Sequence, residues 1–293
     1  MMKSTMFAAA AGAAFAFSVG VVGATDLPSP PWVPPVACPP GNMGCSQVPP
    51  DKDALKVSAT VGKIVSKGTA SGLKCFSKGI TNLVAGKGKG GADGGLADCT
   101  ADFQAKLLTS AAKTIGKLSD MTKPTAPYVS CVATNALAII QPTLTNFIPD
   151  LLPIALCEGS TDLEPQGYGG PSSISGTNSM QPSDKDIAKV ELAVISASAK
   201  FGTATTKCLD KGVGNLLKGK PGDDGAGGAL ICLTDPTKSP AAKLQSSLTK
   251  IGTKALGQPA CLFDAGGQAN LTAGAAAIAE TSTLVDSLLY CNS

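Results

Sequence analysis

The chain has 293 residues and a formal net charge of +3, its 24 basic residues are all lysine, and it contains neither arginine nor histidine. Without histidine it lacks the usual general base near neutral pH, a Ser-His-Asp or Cys-His nucleophile system and a His-ligated metal site. The small charge excess and the absence of arginine also argue against nucleic acid as a partner.

Residues 1–24 have the pattern of a secretory signal peptide. Lys3 precedes an apolar run, and Val22 and Ala24 supply the residues that a signal peptidase recognises. A retained membrane anchor is the weaker alternative, because the run is short for a bilayer. We expect cleavage near Ala24, a secreted or periplasmic location and no stable transmembrane span in the mature chain. Residues 25–50 are proline-rich and predict an extended segment.

The sequence from residue 51 onward contains an internal repeat with an offset of 133 residues. "DKDALKV" at 51–57 matches "DKDIAKV" at 184–190, and 18 of the 49 positions between 51 and 99 are identical to their counterparts. Such self-similarity indicates a duplication. We predict a first helical repeat domain over 51–157, a Gly/Ser/Pro linker over 158–183 and a second helical repeat domain over 184–293.

Each copy predicts three helical segments. Apolar and small residues recur at spacings of three and four along the first segment of each copy, where Asp51 and Asp184 are the predicted N-caps. Glycines in the first helix make a break there an open alternative. The predicted segments are 53–85, 97–118 and 132–156 in the first copy. In the second copy the periodic residues of the first segment run from Ile187 to Leu216, and the later segments are 229–255 and 270–290. The predicted fold is therefore all-α, with two tandem disulfide-stapled helical domains after the proline-rich segment.

Ten cysteines follow the predicted cleavage point. An even number in an exported chain predicts five disulfides, whereas zinc would favour CxxC spacing and histidine, which the chain lacks. We expect the first two to close a small loop and the others to pair within their own copy, in an order that the sequence leaves open. The predicted disulfide residues are Cys38, Cys45, Cys75, Cys99, Cys131, Cys157, Cys208, Cys232, Cys261 and Cys291.

The glycine-rich stretch "GKGKGGADGG" at 86–95 has two interpretations. A phosphate-binding loop would need GxxxxGK[ST] spacing before a helix, but here the predicted helix comes first and no Ser or Thr follows the lysine. We interpret the stretch as a connector, with Gly86 and its counterpart Gly219 at helix C-termini. The corresponding connector of the second copy is "GKPGDDGAGG" at 219–228. Its Asp223 and Asp224 lack the ligand spacing of an EF-hand and predict a solvated acidic turn.

Two further patterns suggest activities. Ser-x-x-Lys spacing can place a lysine beside a serine nucleophile, although the SDN and KTG motifs that accompany it in penicillin-recognising enzymes are absent. The pairs are Ser71–Lys74, Ser110–Lys113 and Ser247–Lys250. The apolar run 132–156 could insert into a membrane, but its three prolines favour a buried core segment, which could also hold an apolar ligand.

The leading functional hypothesis is a non-enzymatic structural or interaction protein without a cofactor or a metal. Cell-surface polymer, lipid and self-association are the partners considered. Much of the lysine charge lies on predicted helices. The ordinary interpretation is that these lysines form a solvated helix face, and the other interpretation is that they weakly attract an anionic polymer or lipid headgroups. The two other hypotheses are a carrier for an apolar small molecule such as a lipid, and a Ser/Lys-dyad hydrolase.

Overall fold

The computed structural model describes residues 52–86, 94–95, 105, 109, 113, 152–159, 161–163, 178–224 and 226–289. The predicted signal peptide, the proline-rich segment and the predicted Cys38–Cys45 loop lie outside these residues. The elements are α1 (Lys52–Val84), β1 (Thr161–Asp162), β2 (Met180–Gln181), α2 (Lys185–Leu216), α3 (Ala229–Thr234), α4 (Pro240–Lys254), α5 (Ala260–Phe263) and α6 (Ala265–Leu289). The described residues are mostly helical, which confirms the all-α class.

The two long helices occur where the sequence predicts them. α1 runs without a break past Gly68 and Gly72, where an interruption was the open alternative. At the start of α2, the Asp184 carboxylate accepts hydrogen bonds from the backbone N–H groups of Asp186 at 2.7 Å and Ile187 at 2.9 Å. These bonds satisfy N–H groups that have no partner within the helix, and they confirm the predicted N-cap.

The second predicted helix of the second copy is interrupted. α3 ends before Asp235, whose carboxylate accepts hydrogen bonds from the N–H groups of Thr237 at 2.8 Å and Lys238 at 2.7 Å and so forms a local turn. Pro236 has no N–H group to extend α3, and Ser239 caps the start of α4. The prediction of one helix over 229–255 is therefore wrong, because local capping competes with helix continuation.

α2 is the central helix of the described structure and packs against α1, α3, α4 and α6. The largest apolar cluster joins Val61 and Ile80 of α1, Leu156, Ile195 of α2 and Leu262 of α5. Each of these five side chains is at most 1% exposed. The cluster combines residues from the ranges of both predicted copies, so the two ranges share one core in the structure.

The ends of the predicted linker are ordered. β1 and β2 form an antiparallel ribbon in which Thr161 lies opposite Gln181. Next to it, Leu163 is only 1% exposed and the N–H of Met180 donates to the carbonyl oxygen of Leu156 at 2.7 Å. Burial of one leucine and pairing of backbone groups fix these two ends of the range 158–183.

The glycines after α1 and α2 confirm the connector interpretation. Gly86 follows α1 with a φ of 59° and Gly219 follows α2 with a φ of 67°, a left-handed conformation that favours glycine. Farther along, Asn82 donates from its side chain to the carbonyl oxygen of Gly94 at 3.3 Å, and Asn215 donates to that of Gly227 at 2.7 Å. The same asparagine bond thus ties both connectors back onto the preceding helix.

Substitution of Gly227 by alanine is expected to lower the free energy of unfolding by about 3–4 kcal/mol. Gly227 has a φ of 65°, which costs an alanine about 1–2 kcal/mol, and its new Cβ would also overlap the carbonyl oxygen of Gly212. Gly219→Ala is the matched control: its φ is 67° but the new Cβ meets no atom within 4 Å. Urea unfolding of both variants checks this, and equal losses would show that the close contact is unimportant.

Two described disulfides link the helices. Cys208–Cys232 joins α2 to α3 within the second copy, as expected. Cys157–Cys261 joins the end of the first range to α5, with a Cα–Cα distance of 6.0 Å. The assumption that all cysteines pair within a copy is therefore wrong for this bond, because the shared core brings these residues together. Cys75 is also disulfide-bonded.

Candidate functional site

One face of α1 carries a row of exposed lysines, which we call the lysine face. At 3.6 residues per turn its members fall within an arc of about 80°, and they extend over about 39 Å of helix. The apolar residues of α1 lie on the opposite side, where Val61 and Ile80 are buried. The lysine face consists of Lys52, Lys56, Lys63, Lys74 and Lys78, all exposed.

The charge on α1 is strongly unbalanced. The helix sequence contains six lysines and one acid, Asp53 in the first turn, which gives 6 − 1 = +5. A solvated helix face more often alternates charges of both signs, since pairs of opposite charge three or four residues apart stabilise the helix. Beyond its first turn, α1 contains no acidic residue to neutralise Lys63, Lys74 and Lys78.

The equivalent face of α2 is closer to neutral. Its helix sequence has five lysines and three acids, and without the buried Glu191 the balance is 5 − 2 = +3. Lys189 forms an exposed ion pair with Asp186, with 2.7 Å between Nζ and Oδ1. The hydrogen bond and charge of Lys189 lower the pKa of Asp186, and the same bond raises the pKa of Lys189. α2 also has exposed lysines on this face, but its additional acids and the Lys189–Asp186 ion pair make the face of α1 the more positive of the two.

The most unusual interior residue is Glu191 of α2, which is fully buried. Its Oε1 accepts hydrogen bonds from the backbone N–H groups of Cys157 and Glu158, each at 3.0 Å. Its Oε2 is buried without a hydrogen-bond partner. Glu191 thus anchors the chain where it leaves the helical residues 152–155, while its second oxygen has no hydrogen-bond partner among the described residues.

Burial raises the pKa of Glu191 to about 8. The two backbone N–H donors oppose this shift because they stabilise the carboxylate, and the negative charge of Glu158 adds to it. Glu191 is therefore mainly the neutral carboxylic acid at pH 7. Two N–H groups already point at Oε1, so the acidic proton belongs on Oε2.

A disulfide lies directly beside this carboxyl group. The sulfur atoms of Cys157 and Cys261 and one carboxyl oxygen of Glu191 all lie within 4.8 Å of one another. Two thiolates and a carboxylate could form a metal site, but here the sulfurs are bonded to each other and are not metal ligands. In the oxidised protein, a carboxyl group therefore lies within 4.8 Å of both sulfurs of a disulfide.

The Ser-x-x-Lys pairs are not assembled as dyads where the structure describes them. The hydroxyl of Ser247 donates to the carbonyl oxygen of Lys243 at 2.8 Å, the ordinary bond of a serine within a helix. Lys250, Ser71 and Lys74 are exposed on the surface of their helices. Ser110 lies outside the described residues.

Asp224 has a structural role in the second connector. Its carboxylate accepts hydrogen bonds from the N–H groups of Ala226, Gly228 and Ile231, at 2.8 to 3.1 Å, and thereby caps α3. Partial burial alone would raise the pKa of Asp224, but these backbone donors lower it overall. The prediction of a merely solvated turn is wrong for Asp224, because the chain folds around its carboxylate, and it holds for Asp223, which is exposed.

The third segment of the first copy is described only at its end. Leu152, Ile154, Ala155 and Leu156 are at most 3% exposed and belong to the main core cluster, as the core interpretation predicts. Residues 132–151 lie outside the described part. Among the helices of the described residues, none has the length and apolar character needed to cross a bilayer.

The sequence analysis missed Glu191, although the sequence contains a signal for it. Glu191 lies four residues after Ile187 and three before Val194, so it falls on the apolar face of the predicted helix. Its counterpart in the first copy, 191 − 133 = 58, is Ser58, which is also buried. An acid on an apolar stripe is a reason to expect a buried carboxyl group, but its neighbours come from distant parts of the chain.

Comparisons of the chain with protein-family models, with curated proteins and with solved structures found no match.

Proposed function

We propose that this protein is an exported, non-enzymatic interaction protein built from two helical repeats, and that it binds an extended anionic polysaccharide through the lysine face of α1. The observation that carries the proposal is the row of five exposed lysines on a helix with one acid. Such a face attracts polyanions by long-range electrostatics and requires no catalytic group.

The recurrence of local structure supports the two-repeat architecture. α1 and α2 begin at residues 52 and 185, and 185 − 52 = 133, the offset of the sequence repeat. The asparagine-to-glycine hydrogen bond recurs at the same offset, since 215 − 82 = 133 and 227 − 94 = 133. Cys75 is disulfide-bonded, as is its counterpart Cys208. Independent helices would have no reason to share these details.

The shape of the lysine face favours a linear polymer over a membrane. The face is about 39 Å long and only about 80° wide, which matches one extended chain lying along the helix. Membrane-surface helices usually add large apolar groups that enter the lipid. Among the described residues, the exposed large hydrophobic side chains are Ile231 and Leu256, and neither belongs to α1.

The test compares two matched triple variants of the full mature chain. Lys56→Gln/Lys74→Gln/Lys78→Gln alters the lysine face, and its control removes the same charge at the equivalent positions of α2, Lys189, Lys207 and Lys211. Binding of fluorescent dextran sulfate is measured at low salt. Each lysine near an anionic surface contributes about 1 kcal/mol, so we expect the α1 variant to bind about 100-fold more weakly.

The control should change affinity by less than about threefold, and the difference between the variants should disappear near 1 M salt, where screening acts within about 3 Å. Equal losses in both variants would mean that only net charge matters and would refute a specific face. Unlabelled neutral dextran should not compete. Stronger binding to vesicles of anionic phospholipid than to dextran sulfate would replace the polysaccharide by a membrane surface.

The carrier and hydrolase hypotheses have no supporting observation among the described residues. The described end of the third segment is packed in the core, and the hydroxyl of Ser247 is bonded to its own helix. The interaction proposal is therefore the one that an observed surface supports.

A further inference from the structure

The contact between the buried carboxyl group and the disulfide has no role in binding at the lysine face. Glu191 is fully buried, and Oε2 has no hydrogen-bond partner although burial of an unpaired polar atom is costly. One of the two oxygens of this carboxyl group lies within 4.8 Å of the sulfurs of both Cys157 and Cys261. A residue that served only packing would be apolar at this position, and one that served only to anchor the backbone would not need an acid.

We propose that Cys157–Cys261 is a redox-active disulfide, and that the Glu191 carboxyl group donates a proton to the leaving thiolate when an external dithiol reduces the bond. Cys157 and Cys261 are each partly exposed, so a thiol can approach one of the sulfurs from outside. The proton of Glu191 is available because its two N–H donors both bind Oε1 and leave the protonated Oε2 unpartnered.

The chemistry balances with an external dithiol as the reductant. One thiolate of the dithiol attacks one sulfur, a mixed disulfide forms, and the other cysteine leaves as a thiolate. That thiolate takes the proton of Glu191, which becomes a carboxylate. The second thiol of the dithiol then loses its proton to solvent and attacks the mixed disulfide. The cysteine of that mixed disulfide leaves as a thiolate, which solvent protonates. The products are one oxidised dithiol and two reduced cysteines, and uptake of a proton from water restores neutral Glu191.

The second described disulfide lacks this arrangement. Cys208 is only 5% exposed. Within the described part of the chain, no carboxyl oxygen lies within 4.8 Å of both sulfurs of Cys208–Cys232. The same external reductant can attack this bond, but no described carboxyl group lies beside both of its sulfurs. The reduction rates of the two disulfides can therefore be compared within one molecule.

The first experiment uses the unaltered mature protein and dithiothreitol as the dithiol. Reduction is stopped at intervals by acid and alkylation, and peptide mass spectrometry gives separate rate constants for the two bonds from pH 6 to pH 9. The ratio of the rates cancels the ionisation of the reductant. We expect the ratio of Cys157–Cys261 to Cys208–Cys232 to fall as the pH rises through about 8, where Glu191 loses its proton. A ratio that is constant over this range would overturn the proposal.

The second experiment uses Glu191→Gln, which keeps an oxygen acceptor for the two N–H groups but cannot donate an acidic proton. We expect Cys157–Cys261 to be reduced at least about tenfold more slowly at pH 6.5, because general-acid assistance is lost, with no change at Cys208–Cys232. The difference should shrink above pH 8.5. If the residue were only structural, Glu191→Gln would leave the reduction rate of Cys157–Cys261 unchanged or would raise it by loosening the surroundings, and either result would overturn the proposal.

Discussion

Replacement of Cys157 and Cys261 by alanine is expected to lower the free energy of unfolding by about 5 kcal/mol. The two residues are separated by 104 positions in the sequence, and their disulfide joins the end of the first copy to α5. In the chain-entropy model, closing a loop of about 100 residues removes about 4.7 kcal/mol of conformational entropy from the unfolded state. The measurement is urea unfolding without reductant, with mass spectrometry to verify the remaining disulfides.

The matched control is the double alanine variant at Cys208 and Cys232. That disulfide closes a separation of only 24 residues, so the same model gives a smaller loss of about 3.4 kcal/mol. Both variants replace two sulfurs by the same small side chain, which makes the loop length the main difference. If Cys208→Ala/Cys232→Ala proved the less stable of the two, the long-range bond would not constrain the unfolded chain as the structure implies.

The free energy of unfolding is expected to fall by about 3–5 kcal/mol between pH 4.5 and pH 8 because of Glu191 alone. Its pKa is about 8 in the folded protein and 4.5 in the ordinary exposed state. The folded protein therefore holds a proton that the unfolded chain releases. The contribution is complete below pH 4.5 and is lost as the pH rises towards 8, at about 1.4 kcal/mol for each unit of pKa difference.

This pH window contains no histidine titration that would mask the effect of Glu191. The chain contains no histidine, the residue that ordinarily titrates between pH 5 and pH 8. Backbone hydrogen bonds to Asp235 and those to Asp224 lower the pKa of each carboxyl group, so these residues contribute stability that is lost only below about pH 4. The described cysteines are in disulfides and do not titrate.

Glu191→Gln is the variant that isolates the effect. It should match the unaltered protein within about 1 kcal/mol at pH 5, because a neutral amide replaces a neutral acid, and it should show little change up to pH 8. Urea unfolding curves at unit intervals from pH 5 to pH 9 provide the measurement. A pH-independent stability of the unaltered protein over this range would show that Glu191 is ionised in the folded state. Such a result would also remove the proton that the redox proposal needs.

The lysine face and the site around Glu191 lie on two helices that pack against each other. α1 packs on α2 through the shared core, and Glu191 projects from α2 towards the segment that carries Cys157. The lysine face lies on the opposite side of α1 from this core. Polyanion binding and disulfide exchange can therefore be measured separately, and failure of either proposal leaves the other intact.

The sequence by itself determined the features that depend on neighbours along the chain. Apolar spacing of three and four predicted α1 and α2, Asp184 was identified as an N-cap, and Gly86 and Gly219 as helix ends, because these signals act within a few residues. It did not separate α3 from α4, since side-chain capping by Asp235 competes closely with helix continuation. The lysine face follows from the same periodicity once the helix is known.

The tertiary structure alone decided the site around Glu191. An acid on an apolar stripe was visible in the sequence, but its partners, the backbone N–H groups of Cys157 and Glu158, lie more than 30 residues away along the chain. The pairing of Cys157 with Cys261 likewise requires two residues 104 positions apart to meet. Cysteine count and spacing leave several pairings open, and only the packing of α5 against the first copy selects this one. Long-range burial thus determines both the proton on Glu191 and the disulfide beside it.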